Sequence, residues 1–145
     1  MPGKFAIPIS LIRLDNQSFH LVVEGMINNI PINLIIDTGA SKTVFDKRVL
    51  EEKLQISDKG TYHIQSAGIM ADHIESKMAT AKVFKLGDLK IKNYPVILID
   101  LEAINKLYQK VTGKTIHGLI GSDFLLDMRA TIDYKKFILV LRKPK

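Results

Sequence analysis

A six-residue pattern occurs twice in this chain. Ile27-Asn28-Asn29-Ile30-Pro31-Ile32 aligns without gaps to Ile91-Lys92-Asn93-Tyr94-Pro95-Val96. Each copy sets turn-forming asparagine among apolar residues and follows it with proline. Each is followed within a few residues by an aspartate, Asp37 or Asp100. Such an echo points to two related β-hairpins packed in one domain. The flanks of the first copy agree. Residues 19–27 are rich in strand formers, and Asn28-Asn29 is a turn signal. Pro31-Ile32-Asn33-Leu34-Ile35-Ile36 reads as a second strand, with proline at its start, where a missing N–H is tolerated.

That strand runs straight into Asp37-Thr38-Gly39-Ala40-Ser41. Thr43-Val44-Phe45 resumes a strand. Asp46 is placed to cap a short helix through Leu54, with Val49, Leu50 and Leu54 facing inward. Residues 61–71 suit a hairpin with Ser66-Ala67-Gly68 near its tip. Residues 78–86 and 89–100 form another expected strand pair, bent at Gly87-Asp88 or at Lys92-Asn93. The clearest helix follows: Ile104, Leu107, Tyr108 and Val111 fall at helical spacing, with Asp100 as its cap and Gly113 as its end. A short helix is expected over 122–128 and a final strand over 131–141, and Arg142-Lys143-Pro144-Lys145 reads as a frayed tail.

Composition bounds the alternatives. With 145 residues, the chain is long enough to bury one full core, and we read 1–145 as a single domain. It is 46% hydrophobic and 25% charged, which sets aside disordered, collagen-like and coiled-coil readings. It has no cysteine, so disulfides, thiolate metal sites and cysteine catalysis are out. The longest apolar run, Phe137-Ile138-Leu139-Val140-Leu141, is far short of the roughly 20 residues of a membrane span. Met1-Pro2-Gly3-Lys4-Phe5-Ala6-Ile7-Pro8 lacks the pattern of a signal peptide, so a soluble cytoplasmic protein is expected. The formal charge of +6 is ordinary for solubility at this size.

Asp37-Thr38-Gly39 carries the chemistry. A carboxylate at a strand end is held out of the core, a hydroxyl beside it can donate and accept, and glycine admits a tight turn or a close neighbour. Many strands end in Asp-x-Gly turns, so the tripeptide alone says little. A second element supports it: Gly118-Leu119-Ile120-Gly121-Ser122-Asp123-Phe124-Leu125 puts an apolar pair before a glycine and then opens a helix. Together, residues 34–41 and 116–126 resemble the two signatures of the retropepsin-like aspartic proteases. In that family Leu-Ile-Ile-Asp-Thr-Gly-Ala-Ser is the catalytic loop after its strand, and the apolar-apolar-Gly strand passes behind it. The order of elements agrees, and the internal echo matches the family's approximate two-fold repeat. The resemblance covers about residues 5–142. It implies a mainly β fold, a closed β-barrel lobe with one or two short helices.

The resemblance also implies a mechanism and a stoichiometry. The family hydrolyses peptide bonds with a water activated by two aspartates and needs no cofactor or metal. Two carboxylates about 3 Å apart resist ionising together, so the pair titrates in two steps. Pepsin-like members carry two Asp-Thr-Gly motifs on roughly twice the length; this chain has one. A symmetric homodimer is therefore expected, each copy supplying Asp37. By the same resemblance, Thr38 would bond across the dimer and Gly39 would offer its carbonyl to a peptide or protein substrate. Ala40 would leave room beside the site, Ser41 would bond locally, and Gly121 would permit close packing behind the loop. Residues 60–74, with Tyr62 and His63, hold the place of the family's mobile flap.

The chain departs from a minimal viral protease by the helical segment 101–113 and by termini that do not look like short interlocking strands. Asp100 sits at the echo position, but Leu101-Glu102 follows it, so it reads as a helix cap. Asp133 reads as a strand-end or turn residue, and Asp123 as an early-helix residue favoured by the helix dipole. His20, His63, His73 and His117 include no pair at helical ligand spacing, and no metal site is expected. Gly118-Leu119-Ile120-Gly121 lacks the lysine of a phosphate loop. Lysines are scattered and aromatics are 7%, so a nucleic-acid partner is not expected. The rival reading is a catalytically silent module that keeps the fold to bind peptides or to dimerise.

Overall fold

The computed structural model describes residues 3–15, 17–50, 55–65 and 73–144. The strands are β1 (Lys4–Pro8), β2 (Ser10–Arg13), β3 (Phe19–Ile27), β4 (Ile30–Ile36), β5 (Val44–Asp46), β6 (Gln55–Gln65), β7 (His73–Leu86), β8 (Leu89–Ile99), β9 (Gly118–Ile120), β10 (Thr131–Asp133) and β11 (Ile138–Arg142). The helices are α1 (Lys47–Leu50), α2 (Glu102–Thr112) and α3 (Ser122–Asp127). One sheet runs β2-β3-β4-β9-β5-β8-β7-β6, and an added β3–β7 pairing closes six of these strands into a barrel. The fold is thus the expected mainly β, retropepsin-like barrel. A second sheet runs β1-β11-β10. None of the helices among the described residues is long and apolar enough to cross a membrane.

Local chemistry explains the closure. Asn28 and Asn29 both take positive φ, 46° and 67°, as a two-residue hairpin turn requires. The Asn28 N–H donates to the Val83 carbonyl at 3.0 Å, and its side-chain oxygen accepts from Val83 N–H at 3.2 Å. The β3–β4 tip is thereby pinned to β7. Gly25 makes the approach possible: a Cβ there would stand 2.7 Å from both the Lys85 carbonyl oxygen and Leu86 Cδ2. In the main core, Ile27, Leu34, Phe45, Leu98 and Ile120 of the barrel and Leu139 and Leu141 of β11 are fully buried. Phe84 meets Phe45 edge-on at 5.6 Å and Phe124 at 5.7 Å, arrangements that aromatic quadrupoles favour.

Several expectations change. The β7–β8 bend is Gly87-Asp88, where Gly87 has φ 56°, and Lys85 faces Lys90 across it. The second copy of the echo therefore lies inside β8, with Asn93 at φ 52° in mid-strand, and not at a hairpin turn. The expected final strand over 131–141 is a hairpin: Asp133 Oδ1 accepts the N–H groups of Lys135 and Lys136 and turns the chain between β10 and β11. Arg142 is not frayed, because it pairs with Lys4, and Lys143 N–H donates to the Gly3 carbonyl.

On α2, Tyr108 is buried as expected, but Leu107 and Val111 are 47% and 44% exposed. The helix is rotated by a polar anchor that apolar spacing cannot reveal. Asn105 is buried, its amide donating to Asp46 Oδ2 and to the Ile116 carbonyl and accepting from Ile116 N–H. Gly113 closes the helix at φ 71°, taking up the carbonyls of Tyr108 and Gln109. Asp100 is not the cap expected: Leu101 holds that position without a side-chain bond, and Asp100, one residue further out, accepts Glu102 N–H through its Oδ1. Asp46 Oδ1 accepts Arg48 N–H at the start of α1. Leu54, and the hairpin tip at Ser66-Ala67-Gly68, lie outside the described residues.

Candidate active site

β4 alternates its apolar side chains. Ile32, Leu34 and Ile36 enter the main core, and Ile35 enters a smaller cluster with Tyr108 and Ile116 under α2. β9 runs parallel to it, with Ile36 beside Ile120. One further bond carries this ladder past the strand end: Asp37 N–H donates to the Ile120 carbonyl at 2.8 Å. The chain then turns. Asp37 Oδ1 accepts Gly39 N–H at 3.1 Å, and the Asp37 carbonyl accepts Ala40 N–H at 3.1 Å. Asp37 is half-buried, while Thr38, Gly39 and Ser41 are exposed.

The loop is fixed from behind. Thr43 is buried, and its hydroxyl donates to Asp123 Oδ1 at 2.8 Å and accepts Gly121 N–H at 3.0 Å. Its own N–H donates to the same Asp123 oxygen at 2.9 Å. Ser122 N–H donates to the Ala40 carbonyl at 2.7 Å. At Gly121 a Cβ would lie 2.6 Å from the Lys42 carbonyl, so the close packing expected at this glycine is real. At Gly39, by contrast, the nearest atom to an added Cβ is Asp37 Oδ1 at 3.5 Å. The inner side of the loop is stapled and its outer side is open.

A scan against family models matches residues 23–124 to the aspartyl protease family. The chain belongs to that family. This aspartyl protease family chain also resembles solved structures. One is a retropepsin-like aspartic protease from Rickettsia conorii, at 18% identity and a TM-score of 0.52, covering 97% of this chain and 91% of that one. Another is the retroviral protease-like domain of Ddi1 from Leishmania major, at 18% identity and a TM-score of 0.53, covering 84% and 87%. At such identities the likeness is one of fold. A sequence comparison with curated proteins finds no match.

Elsewhere in this aspartyl protease family chain the other carboxylates have local work. Asp100 lies 3.7 Å from Arg48, which also reaches Glu102. Asp133 shapes its turn. Asp123, expected only as an early-helix residue, is the hub of the loop's support. Sequence reasoning missed Thr43 and Asp123 as a pair; the one available signal was a polar residue two places after Gly121. Asp46 is fully buried and accepts from Leu101 N–H and Asn105.

His117 sits between β4 and β9. Its Nδ1 accepts Asn33 N–H at 2.9 Å, which requires that nitrogen to be unprotonated. Burial pushes the His117 imidazole below its ordinary value, against an opposing pull from Asp46. His20 shares a hydrogen bond with the Tyr108 hydroxyl at 2.5 Å, and burial pushes that phenol up to about 12. Among the described residues no group of three or more His, Asp or Glu side chains is arranged to hold a metal ion. The expected flap, residues 60–74, overlaps the paired strands β6 and β7, and its residues 66–72 lie outside the described residues.

Proposed function

We propose that this chain is an aspartic endopeptidase whose active unit is a homodimer, each copy contributing Asp37. The observation that carries the reading is the Asp37 loop itself. A carboxylate stands at the end of a buried strand, in a turn bonded from behind and open in front. Electrostatic catalysis works best with such pre-fixed groups, because nothing need reorganise as charge develops.

One carboxyl of the pair stays protonated and polarises the scissile carbonyl. The other, ionised, takes a proton from the attacking water. The water oxygen bonds to the carbonyl carbon; the C–N bond then breaks as the leaving nitrogen receives the proton that the carboxylate took from the water, which leaves one carboxyl of the pair protonated and the other ionised as before. Thr38 braces the two loops, Gly39 offers its carbonyl to the substrate backbone, and Ala40 and Ser41 shape the adjoining subsite. Membership of the aspartyl protease family and the intact Asp-Thr-Gly support this assignment.

The test is Asp37→Asn, assayed on a peptide library between pH 3 and 7. Cleavage is expected to vanish, with the thermal midpoint nearly unchanged, because Asn keeps the acceptor for Gly39 N–H. Equal cleavage by both proteins rules out the proposal, and a wild-type chain that cleaves nothing supports the silent binding module.

A further inference from the structure

We propose that the outer face of the barrel at β3, β7 and β8 carries a site for a small phosphate monoester, with Lys85, Lys90 and Lys92 holding the phosphate. It does not depend on the protease reading.

Strand register builds the site. Met26 pairs with Pro31 on one side and with Lys85 on the other, and Lys85 pairs with Lys90. One rung therefore runs Pro31-Met26-Lys85-Lys90 across β4, β3, β7 and β8. The next residue in each strand, Ile32, Ile27, Phe84 or Leu89, is buried, so this rung faces outward. Lys92 stands two residues along β8 from Lys90, opposite Val83 and on the same face. Lys90 and Lys92 are exposed and Lys85 is half-buried.

Like charges set directly opposite each other destabilise a strand pair. Nothing beside Lys85 and Lys90 offsets that cost. Among the described residues, no carboxylate lies within ion-pair distance of Lys85, Lys90 or Lys92, whereas Arg48 has both Asp100 and Glu102. Three cations on adjacent rungs, with no anion of their own, make a seat for one from outside.

Beside Lys85 opens a hollow of about 450 Å³, whose walls include Glu24, Met26, Pro31, Asn33 and Gly87. That is room for a small organic molecule. The site is cationic at the lysine end and apolar at Met26 and Pro31. At the far side Glu24, opposite Asn33, brings a negative charge. The lysines select the ligand. Each is a separate point charge, without the planar fork by which arginine matches a carboxylate, so together they suit a compact, doubly charged phosphate. Glu24 then suits an ammonium group at the ligand's other end. The face has no Phe, Tyr or Trp on which a base could stack, which disfavours a nucleic acid.

The probes are inorganic phosphate and O-phosphoethanolamine, which adds an ammonium group. Each is titrated into the full chain labelled with nitrogen-15, with chloride at matched ionic strength as the reference. The amides of Met26, Lys85, Gly87 and Lys90 should shift and saturate with phosphate and stay put with chloride. O-Phosphoethanolamine should bind about fivefold more tightly than phosphate. Lys90→Ala, at an exposed position, should weaken both about tenfold. Glu24→Gln should erase the advantage of O-phosphoethanolamine without weakening phosphate. Lys110→Ala, on the outer side of α2, should change neither. Shifts that never saturate, or that chloride reproduces, overturn the proposal, and so does binding indifferent to Lys90→Ala. A phosphoserine peptide that binds more tightly than O-phosphoethanolamine also overturns it, because the site then belongs to a protein partner.

Discussion

Thr43 and Asp123 hold the loop through a shared oxygen. Asp123 Oδ1 accepts from Thr43 N–H, from the Thr43 hydroxyl and from Phe124 N–H. Thr43→Val keeps the shape and deletes the hydroxyl, leaving Gly121 N–H without its buried acceptor. Stability should fall by about 2–3 kcal/mol, read from urea midpoints. Cleavage should fall further than folding alone explains, because the hydroxyl that ties Gly121 to Asp123 behind the turn is gone. His117 predicts a pH effect. Above about pH 6.5 it is neutral in both folded and unfolded chains. As pH falls below that value, the unfolded chain binds a proton that the folded chain resists. Stability should therefore drop on acidification, by up to about 1.4 kcal/mol per pH unit, until folded His117 protonates too. His117→Asn, which offers an oxygen to Asn33 N–H, should remove this part of the pH dependence in urea titrations at pH 7.5 and 5.5.

At the level of elements, α2 is keyed in place by Asn105. Asn105→Leu would leave Asp46 Oδ2 and both backbone groups of Ile116 without their partner, and should lower stability by about 3–4 kcal/mol by calorimetry. This helix also shows where sequence reading works and where it stops. Its extent was legible because spacing and Gly113 are local signals. Its orientation was not, since apolar spacing favoured Leu107 and Val111, while a buried amide bonded to Asp46 turned Asn105 inward instead. The strand before Asp37 and the Gly121 element were legible for the same local reason. The Thr43–Asp123 link was hidden because its halves meet only after β9 has inserted between β4 and β5. The echo misled at its second copy: Asn93 has the positive φ of a turn residue but lies inside β8, with the same register to β7 on either side of it, and the bend fell to Gly87.

At the level of the whole molecule, the proposal that two copies of Asp37 form one site makes activity a property of pairs, since each chain has one Asp-Thr-Gly. If wild type and Asp37→Asn mix and exchange freely, only wild-type pairs are competent, so an equal mixture should keep about a quarter of the activity of the same total chain. A monomeric enzyme would keep about half. Steady-state cleavage at fixed total concentration across mixing ratios distinguishes a square law from a straight line.

The pairing of β1 with β11 brings Lys4 beside Arg142 and, at the far end of the same ladder, Pro8 beside Ile138. A pull that separates the outer ends of these strands loads the hydrogen bonds one rung at a time, as a zipper opens, and never all together, as in shear. Under tension the first part to yield is thus the sheet that ends in β10, while the barrel holding Asp37 is still closed. Stretching such a chain from its two ends would dismantle the edge of the molecule before its centre.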